Sequence, residues 1–384
     1  MAVKRSGKKE DNDENEDINV LIESHFKEMR KFTDSSSLKN SDYTKIKDWL
    51  STGDYGVNSI ISGDIKKGVP SGRITVFYGE SGSGKSYLTA NCIIDALNNK
   101  GYHRCLYFDS EGGALFDMLE KKGVNPDKIE PIIVKSIEDA QVKIIKALAK
   151  MEELQKIYPK FKFICVLDSL GMLVTDKVVT DAMDKDKVAG DMGAAAKARN
   201  SLIRSLVQPV LKTQCPFIII NHAYDNPASL FASKIKEQAG GKGVKFAAHI
   251  TIQMDKRFEK EGTGEDGAFY KTAVLKAFCT KNRVSKPFHE SELFLDYNSG
   301  PLKWFGLIEK AKQFGFITSP KKGYFIVPSF DPEKSFRLAQ VAKSDKIWDT
   351  FIDKLNECIN KEMSYDITSE ISDDALDGLD EDED

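Results

Sequence analysis

Apolar residues in this chain follow two rhythms. Short, largely apolar runs at 73–78, 105–108, 161–167 and 216–220 are separated by stretches of helical period at 85–98, 139–157 and 192–212. An apolar run bounded by polar turns is the pattern of a strand buried on both faces, and a 3.6-residue period is that of an amphipathic helix. Their alternation predicts an α/β fold with a mostly parallel central sheet covered on both sides. Further β-rich runs at 247–254 and 273–278 are separated by charged turns and predict antiparallel additions.

Two flanking patterns differ from this core. Residues 18–32 place Ile18, Ile22, Phe26 and Met29 on one helical stripe. This predicts a short N-terminal arm that cannot bury its stripe alone and must pack on its own core or on a neighbouring subunit. Residues 302–314 and 346–360 read as helices around two β-rich segments that meet at a turn over 320–323, which predicts a small C-terminal α+β domain. The expected division is a leader and N-terminal helix over 1–50, the core over 51–300, the small domain over 301–362, and an acidic tail over 363–384.

Composition changes this picture little. The 384 residues are 41% hydrophobic and 30% charged, as in an ordinary globular protein. No apolar run reaches the length of a membrane span, and the charged N-terminus has no apolar stretch behind it, so neither a membrane anchor nor a secretory signal is expected. Six cysteines lie far apart without metal or redox spacing, which reads as buried thiols in a reducing compartment. The net charge of −3 conceals an asymmetry, since residues 370–384 carry nine acidic groups and no basic one. The rest of the chain sets 56 basic against 50 acidic residues, a mildly basic body with an acidic tail. That balance suits either a polyanion partner or simple solubility.

The candidate chemistry lies at strand ends. Gly79-Glu80-Ser81-Gly82-Ser83-Gly84-Lys85-Ser86, with Tyr87 next in line, follows a predicted strand and opens a predicted helix. Glycines there let backbone N–H groups turn onto phosphate oxygens, and the helix dipole adds to them. Lys85 would reach the β- and γ-phosphates of ATP, and Ser86 would ligate Mg²⁺. Asp168, followed by Ser169, ends a buried apolar strand, where a carboxylate is costly unless it meets a cation, so it is expected to help hold Mg²⁺. Glu111, in Asp109-Ser110-Glu111, ends another strand and could polarise an attacking water, or merely open a helix. Asn221-His222 closes a fourth strand and suggests a γ-phosphate sensor.

These four elements, in this order, resemble the RecA-type recombinases, most closely the phage UvsX branch, over residues 50–325. Asn221-His222, Asp191-Met192-Gly193 and Gly240-Gly241-Lys242-Gly243-Val244-Lys245-Phe246 carry the specificity. The resemblance implies a RecA-fold P-loop ATPase that uses ATP and Mg²⁺. Such a protein coats single-stranded DNA as a helical homo-oligomeric filament and exchanges strands with double-stranded DNA. It would be intracellular, phage-encoded and active in the bacterial host, with a recombination mediator and a single-strand-binding protein as partners. It assigns Lys85, Ser86, Asp168, Glu111 and His222 the roles above. It places Lys281 and Arg283 at the subunit interface, reaching the neighbour's ATP. Two stretches, 175–192 and 224–244, would be DNA-binding loops. Lys197, Asn200 and Arg204 on the intervening helix, and Lys234, Lys236, Gly240, Gly241 and Lys242 in the second stretch, would contact DNA backbone. The N-terminal helix would be the polymerisation arm, and the acidic tail would compete with DNA for basic surface. Met118, with Phe116 close by, occupies the position where the family often stacks a tyrosine on adenine.

Three other classes are weaker. A hexameric helicase of this core is expected to carry a larger domain ahead of it than the roughly 50 residues found here. Intact Lys85, Asp168 and Glu111 argue against a non-catalytic mediator. A small-molecule kinase gives no reason for the glycine-rich segment at 240–246.

Overall fold

The computed structural model of the chain describes residues 10–31, 33, 45–113, 115–183, 192–224, 235–239, 241–263, 269–297 and 300–365. Two units are distinguished, Met1–Ile46 and Lys47–Asp384. In the first, helix α1 (Glu10–Arg30) starts eight residues before the predicted stripe. Its opening sequence is acidic and Lys27 and Arg30 lie in its last turn, the charge order that a helix dipole favours. Ile18, Leu21, Ile22 and Phe26 are exposed on it.

The second unit opens with β1 (Trp49–Leu50), α2 (Tyr55–Ser62) and β2 (Val69–Pro70), the two strands pairing antiparallel. Next come β3 (Ile74–Gly79), α3 (Lys85–Ile94), β4 (Arg104–Asp109), α4 (Leu115–Lys121), β5 (Ile129–Ile133), α5 (Ile137–Ile157) and β6 (Phe163–Asp168). The chain continues through α6 (Asp176–Met183), α7 (Met192–Thr213), β7 (Phe217–Tyr224), β8 (Glu237–Gln238), α8 (Gly241–Ala247), β9 (Ile250–Thr263), β10 (Phe269–Asn282), β11 (Glu290–Asp296) and β12 (Gly300–Pro301). The sheet order is β12-β11-β10-β9-β3-β7-β6-β4-β5, with β8 paired to β7. The strands from β9 to β5 along that path are parallel, and β10, β11 and β12 are added antiparallel.

Alternate side chains on the central strands enter two cores. Phe77, Tyr107, Val166 and Ile218 pack with Leu88, Cys92 and Ile93 of α3. Val76, Phe108, Leu167 and Ile219 pack with Ile144 and Leu148 of α5 and Leu202 and Leu206 of α7. Each buried side chain of this size contributes about 1.5–3 kcal/mol, so both faces must be covered for the sheet to hold. The helix predicted from 139 begins at Ile137, because Ser136 accepts a hydrogen bond from the Asp139 N–H at 3.0 Å and caps it.

The small C-terminal domain is α+β. It contains α9 (Ile308–Gln313), a three-stranded antiparallel sheet of β13 (Thr318–Lys321), β14 (Tyr324–Val327) and β15 (Asp331–Arg337), then α10 (Leu338–Lys343), α11 (Asp345–Trp348) and α12 (Ile352–Met363). Its core centres on Trp304 stacked on Trp348, with ring centroids 5.0 Å apart and planes 3° from parallel. The Trp348 indole N–H donates to the Val341 carbonyl at 2.8 Å. Ile65, from before the main sheet, joins this core.

Two expected loops contain regular structure. Helix α6 occupies part of the first stretch, and residues 184–191 lie outside the described residues. In the second, β7 extends to Tyr224, β8 pairs back onto it through Ala223–Gln238 and Tyr224–Glu237, and α8 begins at Gly241. Residues 225–234, which include Lys234, lie outside the described residues, as do Gly240 and the acidic tail from 366.

Candidate nucleotide site

Parallel strands end at one edge of the sheet, and register decides which ends meet. Gly79 lies opposite His222, and Asp109 opposite Asp168. The four predicted strand-end elements therefore converge, as ligand crevices in open α/β sheets do.

Residues 79–86 form the glycine-rich turn from β3 into α3. Gly82 and Gly84 take φ of 73° and 88°, and a Cβ on Gly84 would stand 2.4 Å from Leu275 Cδ1. Only glycine enters that conformation freely. Lys85 is buried, and its ammonium donates to the carbonyls of Gly79 at 3.0 Å and Glu80 at 2.7 Å. Burial lowers its pKa, against the opposing pull of Asp168, Glu111 and Glu80.

Asp168 ends β6 as a buried carboxylate that accepts the Tyr107 hydroxyl at 2.5 Å. Burial pushes its pKa up to about 6, with Glu111 and Asp109 adding to the rise and Tyr107 and Lys85 opposing it. A group so disposed gains by meeting a cation. Tyr107 was not singled out in the sequence, although a tyrosine inside a buried strand needs a partner for its hydroxyl.

Glu111 is held in a small network. The Ser169 hydroxyl donates to Glu111 Oε1 at 2.5 Å, and His222 Nε2 lies 3.0 Å from the same oxygen. Burial raises the Glu111 pKa, but these two bonds and the nearby charges of His222 and Lys85 outweigh it and hold the carboxyl below its ordinary range. Beneath it, Asp109 accepts three backbone N–H bonds, from Glu111 at 2.8 Å and from Gly112 and Gly113 at 2.9 Å. Asp109 thus shapes the turn that aims Glu111, a role the sequence reading did not give it. The neighbouring Ser110 hydroxyl accepts the Ser169 N–H at 2.9 Å and ties the β4 and β6 ends together.

Asn221 is fully buried and does not face the crevice as a paired sensor with His222. Its amide donates to the Ala239 carbonyl at 2.9 Å, and its oxygen accepts the His222 N–H at 3.0 Å. It fixes the strand end to the residues beyond β8.

At this edge lies a cavity of about 400 Å³, a size suited to a small-molecule ligand. Gly82, Gly84, Lys85, Ser86, Glu111 and Asp168 line its phosphate side, and Tyr87, Leu115, Met118, Leu295 and Tyr297 its apolar side. Met118 therefore shares a cavity with the glycine turn. Tyr297 was missed because it comes from the distant end of β11. A larger cleft of about 1120 Å³ runs between β11 and the small domain, past His289, Lys310 and Phe325. It has neither the glycine turn nor the strand-end carboxylates, so the chemistry selects the smaller cavity.

The remaining predicted residues lie elsewhere. Lys281 donates to the carbonyls of Lys245 at 2.7 Å and Phe246 at 2.6 Å, and Arg283 to that of Phe246 at 3.2 Å. Both cations thus meet the C-terminal end of α8, and neither lines the cavity of its own chain. Burial, with Arg283 and Lys245 nearby, lowers the Lys281 pKa to about 8. Lys197 and Arg204 are exposed on α7. Asn200 is half-buried and packs so closely that a Cβ on Gly243 would meet its side chain at 2.6 Å. Gly241 and Lys242 begin α8 and do not lie in a loop. Lys236 pairs with Glu80 of the glycine turn and with Asp255 at 3.3 Å.

Comparison with known proteins agrees with this geometry. Residues 21–301 match the family described as RecA N-terminal domain. The chain is similar to the recombination and repair protein of Enterobacteria phage T4, 28% identical over 317 residues that span 82% of this chain and 75% of that protein. It is also similar to Protein RecA of Aquifex aeolicus, 26% identical over 262 residues that span 67% of this chain and 69% of that protein.

Proposed function

The chain belongs to the RecA family, and on that premise we propose that it is an ATP-dependent DNA recombinase of recombination and repair, which assembles as a filament on single-stranded DNA. The observation that carries this reading is the meeting of Lys85, Glu111 and Asp168 around a cavity of about 400 Å³ at one sheet edge, with His222 against Glu111 behind them.

The residues fit a magnesium nucleotide. The turn at 79–86 offers backbone N–H groups and Lys85 to phosphate oxygens, and Ser86 with Asp168 offers hard oxygen ligands to Mg²⁺. Bound by these residues, Mg²⁺ would supply charge neutralisation to the phosphates. Glu111, kept ionised by Ser169 and His222, orients and deprotonates water. His222 shares an oxygen of Glu111 and so connects phosphate chemistry to β7. Met118 and Tyr297 give the base an apolar and an aromatic wall. Lys281 and Arg283 act on the neighbouring subunit's nucleotide, which accounts for their placement away from their own cavity. Exposed Lys197 and Arg204 contact DNA phosphates, with steep salt dependence and without sequence preference.

Measuring ATP hydrolysis with and without single-stranded DNA, alongside electron microscopy, tests the reading. DNA-stimulated turnover and filaments are expected, and Lys85→Ala should abolish turnover. No stimulation together with no filament would overturn it, and closed rings that unwind DNA would point to a helicase.

A further inference from the structure

Glu80 is the second residue of the glycine turn and its side chain is 60% exposed. It does not point away unused, because it pairs with Lys236, just ahead of β8. Lys236 is held by its main chain as well. Its N–H donates to Gln253 Oε1 at 2.9 Å, and the Tyr78 hydroxyl donates to the same oxygen at 3.0 Å. Gln253 Nε2 in turn donates to Asp255 Oδ2 at 2.8 Å, and Asp255 is the second carboxylate facing the Lys236 ammonium, at 3.3 Å. The segment at 235–239 is therefore bonded to β9, and through Gln253 to Tyr78 of β3, the strand that leads into the glycine turn. Two residues further on, Gln238 pairs with Ala223 of β7, and the Ala239 carbonyl accepts the Asn221 amide beside His222. The limb at 235–239 thus touches both ends of the site, the turn through Lys236 and the His222 strand end through Ala239.

We propose that Lys236 is a positioning residue for the phosphate-binding turn: bridging Glu80 and Asp255, it makes the limb at 235–239 and the turn at 79–84 move as one body. This rests on the reading of residues 79–86 as the ATP site. It differs from the sequence expectation for Lys236, in which its charge serves DNA phosphates. Here the charge is spent inside the chain, and the state of the turn reaches the limb through one ion pair. Because the bridge rests on a positive charge that reaches two carboxylates, arginine, which keeps that charge, should substitute for it where methionine, which lacks it, should not.

Hydrogen exchange by mass spectrometry on the full chain tests this, with ATPγS as the probe. Without ligand, Lys236→Met and Glu80→Gln should each speed exchange across 235–239 by about tenfold, the double variant by no more than Lys236→Met alone, since that change already removes the Glu80 contact. Lys236→Arg should keep wild-type exchange. With ATPγS, the wild-type and Lys236→Arg chains should gain protection at 235–239, and the other variants should not. If Lys236→Met fails to fold, Glu80→Gln, at an exposed side chain, carries the test. Unchanged exchange in both single variants overturns the bridge. So does an effect of Lys236→Met alone accompanied by a single-stranded DNA salt slope lower by about one phosphate contact, since Lys236 would then be a DNA ligand. A wild-type chain that bound no ATPγS would instead refute the nucleotide-site reading, and the ligand-free arm would still decide the bridge.

Discussion

Replacing Asp109 by alanine separates the aiming of Glu111 from the binding of nucleotide. The Asp109 carboxylate accepts three N–H bonds of 2.8–2.9 Å from consecutive residues, the first being Glu111. A hydrogen bond contributes about 1 kcal/mol net, and one to a charged group somewhat more, so losing three costs about 3 kcal/mol. In a domain of more than 200 residues each kcal/mol is worth about 2 °C, which predicts a fall of several degrees in melting temperature. The catalytic effect should be larger. With its turn released, Glu111 no longer reaches Ser169 and His222 in one geometry, and misplacement by about 1 Å costs about 100-fold in rate. Affinity for ATP should change by less than about threefold, because no described hydrogen bond joins Asp109 to residues 79–86. Metal binding should not suffer either. Asp109 is one of the charges that raise the Asp168 pKa, so its removal makes Asp168 easier to ionise. Asp109→Asn keeps one carbonyl oxygen for Glu111 and Gly112 but turns an amide on the Gly113 N–H, and should fall between the two. Steady-state hydrolysis with a fluorescent-nucleotide titration measures both quantities. Wild-type turnover in Asp109→Ala, or a loss of turnover matched by an equal loss of ATP affinity, would refute the reasoning.

Other outcomes follow from single contacts. Gly84→Ala should abolish nucleotide binding in a titration, and adding Leu275→Ala should restore little of it, because relieving the 2.4 Å clash leaves φ at 88°. Turnover should decline as pH rises through about 8, where Lys281 loses its charge, and Lys281→Arg should flatten that limb of the pH–rate profile; an unchanged alkaline limb would remove Lys281 from the reaction. Trp348→Ala should cost the small domain about 3–5 kcal/mol in a denaturant titration, since it removes the ring stacked on Trp304 and the bond to Val341, while ATP binding in the core persists.

Much of the architecture was legible in the sequence because the strands that build it are buried on both faces. Such strands write themselves as apolar runs, and the carboxylates at their ends, Asp168 and Glu111, stand out against that background. The antiparallel strand β11 was not legible, since its side chains alternate between buried and exposed and the apolar pattern weakens. Strand β15 left no apolar trace, with Phe336 its one buried side chain. Helices α6 and α8 lay in stretches read as loops, because neither shows a periodic apolar face long enough to register.

The site was harder to read wherever a residue acts through another. Glu111, Asp168 and Lys85 could be named from chemistry and position. Asp109, Tyr107 and Asn221 have the same strand-end addresses, but their roles depend on which backbone groups the turns present, and composition does not reveal that. Tyr297 enters the cavity from β11, about two hundred residues along the chain from the glycine turn. Lys236 is the sharpest case. From sequence, a lysine in a glycine- and lysine-rich segment of a mildly basic body is most simply a phosphate ligand. In the fold it faces two carboxylates, and an ammonium so matched gives up that pairing before it can serve DNA. A charge count along the second stretch therefore overstates the basic surface available to a polyanion, and exposed Lys197 and Arg204, which no carboxylate is seen to pair, are the firmer candidates for that surface among the described residues.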